Sequence, residues 1–465
     1  MIYSYTEFIT LFLATALLLR AGGVTWRRIV LLVASMIFLY WAGWPTVLIM
    51  LGVVTLTWTA ANLAARDSRA ATAAITICVV LFIVNLFVWK YWGWVRSELG
   101  ITAGDPIGDT VTELGLPIGI SFYTLQAVAY LIEIRRGVAP AGRIKFMDVL
   151  LFQCFFGQLI AGPIVRYGQL MPQLQNPRPA SAAAIVRGLE LFALGYFKKL
   201  VLADRAAHYV DPVFGQMSEH DGATILCALI LYSVQIWADF SGYIDMGRGA
   251  ARVCGINLPQ NFRSPYLSQS PSEFWRRWNI TLGTWLRDFL YIPLGGSRGG
   301  VARTVFNLLL TMLVCGLWHG AAWWFVLWGL YHGCLLAVQR AWRSLIKVRI
   351  PVSIAVPLTL IAVSFGWLFF RVESLSDIGH AIDAFLAIGP DQFSYLLQTR
   401  PTTVAAAIVF PAIALFIQYA EARPAWRRAI IRSANPMLRG GAVGVLICVA
   451  IALRGNPVPF IYFQF

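Results

Sequence analysis

The sequence predicts an all-α, polytopic membrane protein with about 11 to 12 membrane-embedded helices, among them re-entrant and interfacial helices. Of its 465 residues, 58% are hydrophobic and 13% are charged, whereas a soluble domain is about half apolar and about a quarter charged. At roughly 20 residues per spanning helix, the chain can supply a dozen spans and their loops. Its apolar runs continue without the alternation typical of an outer-membrane barrel, which disfavours that architecture.

Apolar runs bounded by charges, glycines or prolines predict twelve membrane-embedded segments. In order, these are Glu7–Leu19, Ile29–Trp41, Thr46–Ala65, Ala70–Trp89, Leu114–Ile134, Ala182–Ala203, Gly222–Met246, Val305–Trp318, Ala321–Gln339, Val352–Phe370, Thr402–Ala420 and Gly441–Leu453. We interpret residues 1–465 as one integral membrane domain, with N-terminal spans and an outer loop over 1–113 and a core over 114–465. The first run lacks a basic leader and a cleavage site, so we expect a retained span.

Two stretches do not fit simple spanning helices. Phe146–Gln175 mixes glutamines, glycines and a proline with apolar residues, which predicts a re-entrant or interfacial element buried within the protein, because irregular backbone cannot face lipid. Arg248–Arg303 interleaves arginines with tryptophans. That pairing favours the headgroup boundary, so we expect interfacial helices on the cytoplasmic face.

The charge pattern predicts orientation in the membrane. Lys and Arg number 37 against 22 Asp and Glu, a formal net charge of +15. The cations collect in five clusters that share one side if the segments alternate, and the positive-inside rule makes that side cytoplasmic. Both termini then face outward, and we expect no nucleic acid partner. The clusters are Arg20, Arg27 and Arg28; Arg66 and Arg69; Arg135, Arg136, Arg143 and Lys145; Arg340, Arg343, Lys347 and Arg349; and Arg423, Arg427, Arg428, Arg432 and Arg439.

Cysteine usage indicates neither a disulfide framework nor a zinc site. The seven cysteines form no C-x-x-C pair and lie mostly in apolar runs, where they are interpreted as small core residues. We therefore expect no metal.

His319 is the candidate general base. Val305–Trp318 would be about 20 Å long at 1.5 Å per helical residue, shorter than a hydrocarbon core of about 30 Å, so the hairpin is expected to turn inside the bilayer with His319 at the turn. Desolvation in a Trp-rich pocket keeps an imidazole neutral and able to accept a proton. The alternative is a histidine bonded to a backbone carbonyl purely for packing.

His332 lies 13 residues further along. That spacing predicts a separation of nearly 20 Å from His319, so the two are not expected to touch. His332 either lines the same passage or orients a helix.

Asp239 and Asp245 are two carboxylates in one apolar helix. Their spacing of six puts them on different faces, which disfavours an acid/base dyad. We expect Asp239 to meet a cation such as Arg263, or a Trp N–H, and to hold helices in register. Lys198 and Lys199 are expected to be paired or to extend toward the interface.

The interfacial run from Phe274 to Arg298 contains the candidate donor-binding cations. Arg276, Arg277, Arg287 and Arg298 could hold the phosphates of a nucleotide-like donor. The alternative, which can coexist with it, is anchoring to anionic lipid.

Several strings together resemble the membrane-bound O-acyltransferase family, and most closely its bacterial branch of the alginate O-acetyltransferase type. The likeness runs from about Leu114 to the end. The strings are Pro117–Tyr123 (PIGISFY), Ala238–Tyr243 (ADFSGY), Phe274–Trp278 (FWRRW), Tyr291–Gly296 (YIPLGG), Gly316–Gly320 (GLWHG) and Pro459–Phe465 (PFIYFQF).

The resemblance implies an acyltransferase of the bacterial inner membrane, with both termini therefore periplasmic. It also implies a funnel through the bilayer with a catalytic histidine near its constriction. That role carries over to His319, and the second family histidine corresponds to His332. Trp318, Asp239 and Tyr243 lie in the matching motifs, Asn279 directly follows one of them, and all four are expected to support the site or line the tunnel. Where relatives of this branch often have Trp-His after the paired arginines, this chain has Trp278-Asn279. Asn279 cannot act as a base but can donate a hydrogen bond to a carbonyl.

The expected reaction moves an acetyl, or similarly short acyl, group from a cytoplasmic thioester across the membrane to a hydroxyl. Acetyl-CoA is the expected donor substrate, with no bound cofactor. The acceptor is an exopolysaccharide such as alginate or cellulose, or a hydroxyl of a periplasmic acetyltransferase partner in a polysaccharide synthesis complex. Two alternatives remain: D-alanine transfer from a carrier protein to teichoic acid, and a non-enzymatic polysaccharide transporter or flippase.

Overall fold

A computed structural model describes residues 3, 5–64, 69–101, 105–138, 144–346, 348, 350–423 and 436–463. Within those residues the regular structure is entirely helical, which confirms the predicted fold class. The α-helices are α1 (Thr6–Leu18), α2 (Val24–Tyr40), α3 (Trp44–Ala64), α4 (Arg69–Lys90), α5 (Trp92–Glu98), α6 (Pro106–Leu114), α7 (Ile120–Arg135), α8 (Phe146–Cys154), α9 (Tyr167–Gln175), α10 (Ala182–Phe197), α11 (Asp204–Gly215), α12 (Gly222–Val253), α13 (Pro271–Trp275), α14 (Ile280–Leu286), α15 (Gly300–His319), α16 (Trp323–Leu345), α17 (Val352–Arg371), α18 (Leu375–Leu386), α19 (Pro390–Thr399), α20 (Pro401–Ala422) and α21 (Pro436–Ala452).

A helix lies at each of the twelve segments predicted from hydropathy. Six described helices are long and apolar enough to cross a bilayer, namely α3, α4, α12, α15, α17 and α20. The predicted start of the eighth segment, at Val305, was wrong. Helix α15 begins at Gly300 and has 20 residues, about 30 Å at 1.5 Å per residue. Its length therefore no longer requires the hairpin to turn inside the bilayer.

Short non-α turns connect several helices. Lys198–Ala203 and Arg287–Tyr291 are π-helical, and Met217–Glu219, Pro265–Leu267 and Ile461–Phe463 are 3₁₀-helical. Several cations used to predict orientation lie outside the described residues: Arg66, Arg143, Lys347, Arg349, Arg427, Arg428 and Arg432.

The chain divides into two compact units. The first comprises residues 1–193 and 243–259, and the second comprises residues 194–242 and 260–465. In the first unit, the stretch 155–165 between α8 and α9 has irregular backbone and is buried throughout. The Phe152 carbonyl accepts hydrogen bonds from the side chains of Gln126 at 3.0 Å and Gln158 at 2.7 Å. The expected buried irregular element is confirmed for 155–165, whereas α8 and α9, which flank it within Phe146–Gln175, are regular helices.

In the second unit, glycines let α15 and α16 pack backbone to backbone. A Cβ on Gly316 would overlap the Phe325 carbonyl oxygen, and one on Gly329 would overlap the Met312 carbonyl oxygen. Small residues at such positions permit close helix contact where lipid supplies no hydrophobic driving force.

Within the second unit, the basic, Trp-rich run forms the short helices α13 and α14, with a 3₁₀ turn before them and a π-helical turn after them. Trp275, Trp285 and Tyr291 are partly exposed, and the position of the run at the headgroup boundary stays a prediction. Phe274 and Trp278 are each 1% exposed. Their rings stack on one another at 5.5 Å.

Candidate active site

The His319 imidazole ends α15 inside a cage of aromatic rings. Its centroid lies 4.9 Å from Trp318, 4.9 Å from Trp328, 5.1 Å from Phe370 and 5.5 Å from Tyr462. The residue is 3% exposed. Four separate segments supply these rings, so the position of the imidazole is fixed by the tertiary structure and not by the local sequence.

Gly320 is needed directly after this histidine. A Cβ there would overlap the Phe325 ring. The turn into α16 therefore leaves no room for a side chain. Because the Phe325 ring also packs on Phe370 at 5.1 Å, any side chain at position 320 would disturb the wall of the cage.

His332 occupies the third turn of α16 and is fully buried. Its ring lies 4.9 Å from Trp328 and 5.1 Å from Trp275. Among the described residues, neither ring nitrogen has a hydrogen-bond partner. On the opposite side, a Cβ built on Gly366 would stand 2.7 Å from Nε2, so α17 closes directly over the imidazole.

The two histidines share one tryptophan, which corrects the predicted separation of nearly 20 Å. Each imidazole centroid is 4.9 Å from Trp328, so the two are at most 9.8 Å apart. The prediction was wrong because it counted the whole 13-residue spacing as axial distance. The chain reverses after Gly320, and both side chains then point toward the ring between them.

A cavity of about 420 Å³ opens beside this cluster. Its exposed end carries Arg263, Arg276 and Arg287, and its lining also includes Trp275, which is partly buried, and Cys315, which is buried. Trp275 packs on both His332 and Trp328, and Cys315 lies one helical turn before His319 on the same face. Neither imidazole is among the residues that line this cavity, whereas Trp275, which lines it, packs against His332.

Asn279 also lines the cavity, in a backbone conformation that few residues adopt. Its φ is 41°, in the left-handed region where Asn and His are enriched. Its Oδ1 accepts a hydrogen bond from Asn261 Nδ2 at 3.0 Å. Its Nδ2 is buried and has no partner among the described residues, so it retains a donor for a further acceptor.

The four candidate donor-binding arginines separate into two pairs. Arg276 and Arg287 line the cavity. Arg277 does not, since its guanidinium donates to Glu273 at 2.6 Å and to the Ser264 carbonyl at 3.2 Å, and Arg298 is exposed elsewhere.

Sequence reasoning missed Arg263 as a cavity residue. Its backbone N–H donates to the Arg277 carbonyl at 2.9 Å, which draws the loop before α13 up to the cavity. The sequence carries no periodic signal for such a loop contact.

Asp239 pairs with Lys199, not with Arg263. Its Oδ1 lies 2.9 Å from Lys199 Nζ, and Lys198 pairs with Glu421 at 2.9 Å, which confirms that both lysines are paired. Asp245, six residues on, pairs with Arg248 at 3.2 Å, so the two carboxylates form no dyad.

Tyr243 belongs to the first unit, whereas both histidines belong to the second. It is fully buried and stacks on Tyr3 at 4.3 Å. Among the described residues, no group of three His, Cys, Asp or Glu side chains could hold a metal ion.

Comparisons with known proteins show the family to which the chain belongs. The model of the MBOAT, membrane-bound O-acyltransferase family matches residues 68–372. A probable alginate O-acetylase AlgI of Pseudomonas aeruginosa is 37% identical over 408 residues, covering 86% of this chain and 78% of that protein. Another, of Pseudomonas putida, is 34% identical over 100% of both chains. A peptidoglycan O-acetyltransferase of Helicobacter pylori is 38% identical over 288 residues, covering 56% of this chain and 55% of that protein. The chain therefore belongs to the membrane-bound O-acyltransferase family.

Proposed function

We propose that this protein transfers an acetyl group from acetyl-CoA to a hydroxyl of an exopolysaccharide, alginate-like or cellulose-like, or of a periplasmic partner protein that completes the transfer. The observation that carries the proposal is the aromatic cage of His319, beside a cavity that has three exposed arginines in its lining. The similarity of the chain to probable alginate O-acetylases, over nearly its whole length, supports acetyl as the group transferred and a polysaccharide as the final acceptor.

The donor is proposed to enter at the exposed end of the cavity. Arg263, Arg276 and Arg287 present guanidinium groups there, and such groups bind phosphate oxygens through charge-assisted, often bidentate, hydrogen bonds. The acyl arm would then extend toward Trp275 and Cys315. Movement of the Trp275 ring would admit the thioester toward the two imidazoles.

His319 is proposed as the general base. It removes the proton from the acceptor hydroxyl as that oxygen attacks the thioester carbonyl, and the C–S bond then breaks with the proton passing to the departing thiolate. Such general-base assistance is worth roughly 10²- to 10⁴-fold in rate. The Nδ2 donor of Asn279 is available to a carbonyl oxygen of the donor. His332 is proposed to hold the Trp328 side of the cage in place.

The setting proposed for this reaction is the bacterial inner membrane, with both termini periplasmic. The donor then arrives from the basic, cytoplasmic side and the hydroxyl from the other. A periplasmic acetyltransferase partner and a polysaccharide synthesis complex are the expected protein partners.

The test uses the full chain purified into lipid nanodiscs. Radiolabelled acetyl-CoA and a D-alanyl-charged carrier protein are supplied separately, and label on the polymer or on a partner protein is counted. We expect transfer from acetyl-CoA, abolished by His319→Ala and unchanged by His208→Ala, because His208 is an exposed histidine of α11. Transfer only from the charged carrier would identify a D-alanyltransferase. Polymer movement without covalent change would identify a transporter. Wild-type rates in His319→Ala would remove His319 from the mechanism.

A further inference from the structure

A buried ionic cluster lies in the second unit, outside the proposed chemistry. Lys199 Nζ is 2.9 Å from Asp239 Oδ1 and 2.7 Å from Asp204 Oδ1. The three side chains are 2–4% exposed. Burying charges is costly, and an uncompensated buried charge is more costly still. A cluster of one cation and two anions is therefore a feature that hydrophobic packing alone does not account for.

Local backbone geometry brings the lysine to the carboxylates. Lys199 sits on the π-helical turn Lys198–Ala203, and such turns are often found at functional sites. Gly242 lets α12 approach this turn. A Cβ there would stand 2.7 Å from the Gly195 carbonyl oxygen and 3.2 Å from the backbone nitrogen of Lys199. Asp239 lies one turn earlier on α12, facing the ammonium group. The sequence from Asp239 to Gly242 thus supplies both the carboxylate and the glycine that allows the close helix contact.

The same cluster holds the C-terminal segment, defined here as residues 453–463. Asp239 Oδ2 accepts a hydrogen bond from the Ile461 amide at 2.7 Å, and Lys199 Nζ donates to the Val458 carbonyl at 2.9 Å. The Gly455 amide donates to the Leu200 carbonyl of the π-helical turn at 3.0 Å. The two charged groups therefore bond both to each other and to the segment's backbone.

Tyr462 follows directly after the amide that Asp239 holds. Its ring lies 4.2 Å from Phe240, the residue after Asp239, and 5.5 Å from the His319 imidazole. The ring is thus part of the cage around His319. The link from Lys199 to the imidazole passes through Asp239, the Ile461 amide and the Tyr462 ring.

We propose that the Lys199–Asp239 pair positions His319 by fixing the C-terminal segment, so that the Tyr462 ring forms one wall of the imidazole's cage. The inference rests on the proposed acyl transfer for its kinetic test. Lys199, Asp239 and Tyr462 are positioning residues and not catalytic ones. A misplacement of about 1 Å can cost roughly 10²-fold in rate. Because Tyr462 contacts His319 and does not line the cavity, the pair acts on the chemical step and not on donor binding.

The kinetic test compares matched variants in nanodiscs. We expect Asp239→Asn, Lys199→Met and Tyr462→Ala to lower kcat by roughly 10²-fold while KM for acetyl-CoA stays within a factor of about two. Tyr462→Phe keeps the ring and should be clearly faster than Tyr462→Ala. Lys198→Met is the control, since Lys198 pairs with Glu421 and lies over Trp237. A loss confined to KM, or equal losses in the two Tyr462 variants, would overturn the proposal. The Tyr462 variants leave the ions intact and so decide the matter if the charge variants fail to fold.

A second readout does not depend on acyl transfer. Hydrogen exchange of a peptide covering residues 455–463 is measured by mass spectrometry in nanodiscs. We expect faster exchange in Asp239→Asn than in wild type or Lys198→Met, because the Ile461 amide loses its charged acceptor. Unchanged exchange would refute the positioning role even if the protein acetylates normally. Absent acetyl transfer in wild type, with faster exchange in the variant, would instead refute the proposed function alone.

Discussion

Gly366 lies so close to the His332 imidazole that one added methyl group would move the ring. A Cβ at this position would stand 2.7 Å from Nε2, against an ordinary contact of at least 3.4 Å. In Gly366→Ala, the ring or α17 must therefore shift by about 0.7 Å, the difference between those distances. Overpacking of this kind costs about 1–3 kcal/mol, and replacing a helical glycine with alanine returns about 1 kcal/mol. We expect a net loss of stability of about 0–2 kcal/mol.

The effect on activity should be larger than the effect on stability. The displaced ring packs on Trp328, and Trp328 packs on His319, so the shift is passed to the proposed base. A displacement approaching 1 Å can cost roughly 10²-fold. We therefore expect Gly366→Ala to lower kcat by about 10- to 100-fold in a folded protein.

The assay is acetyl transfer in nanodiscs, combined with thermal unfolding of the same preparation. Gly379→Ala is the matched control, because a Cβ on Gly379 of α18 would contact nothing within 4 Å. A folded Gly366→Ala protein with the wild-type kcat would refute the reasoning. It would show that the position of His332 does not matter to the reaction.

Three further predictions follow from the cavity and the hairpin. Arg276→Gln should raise KM for acetyl-CoA about tenfold, as expected for one lost charge-assisted hydrogen bond of about 1.5 kcal/mol, whereas exposed Arg298→Gln should not; equal effects would point to general lipid anchoring. Asn279→Ala should destabilise the protein by about 2–4 kcal/mol, since it strains a left-handed residue and leaves Asn261 Nδ2 unpaired. Asn279→Gly should recover the backbone part in thermal unfolding, and no recovery would contradict the strain argument. Gly316→Ala should lower the yield of folded protein, because its Cβ overlaps a backbone oxygen of α16; a normal yield and melting temperature would show that the hairpin can separate freely.

Helix positions could be predicted because long apolar runs depend on local composition alone. The start of α15 was missed because Gly300, Arg303 and Thr304 are not apolar, although they continue the helix. The shared tryptophan between the two histidines was missed for a different reason. Distance along a chain does not give distance in space once the chain reverses, and the reversal at Gly320 lies between them.

The partner of Asp239 could not be predicted for a similar reason, because contacts between polar groups also depend on the tertiary structure. The need for a cation could be predicted from a carboxylate in an apolar helix, but several cations were available. Lys199 is selected by the π-helical turn and by the close approach that Gly242 permits. Both are tertiary features, and neither leaves a hydrophobic period in the sequence.

The aromatic cage fits group transfer better than hydrolysis. Four rings from α15, α16, α17 and the C-terminal segment surround an imidazole that is 3% exposed. A base that activates a sugar hydroxyl would also activate water, and water would destroy the thioester without acylating anything. Excluding water from a site prevents such side reactions. Aromatic rings contribute mainly apolar surface, so they leave little room for ordered water beside the base. The same enclosure explains why the C-terminal segment is held by buried charges: a loose Tyr462 ring would open the cage to solvent beside His319.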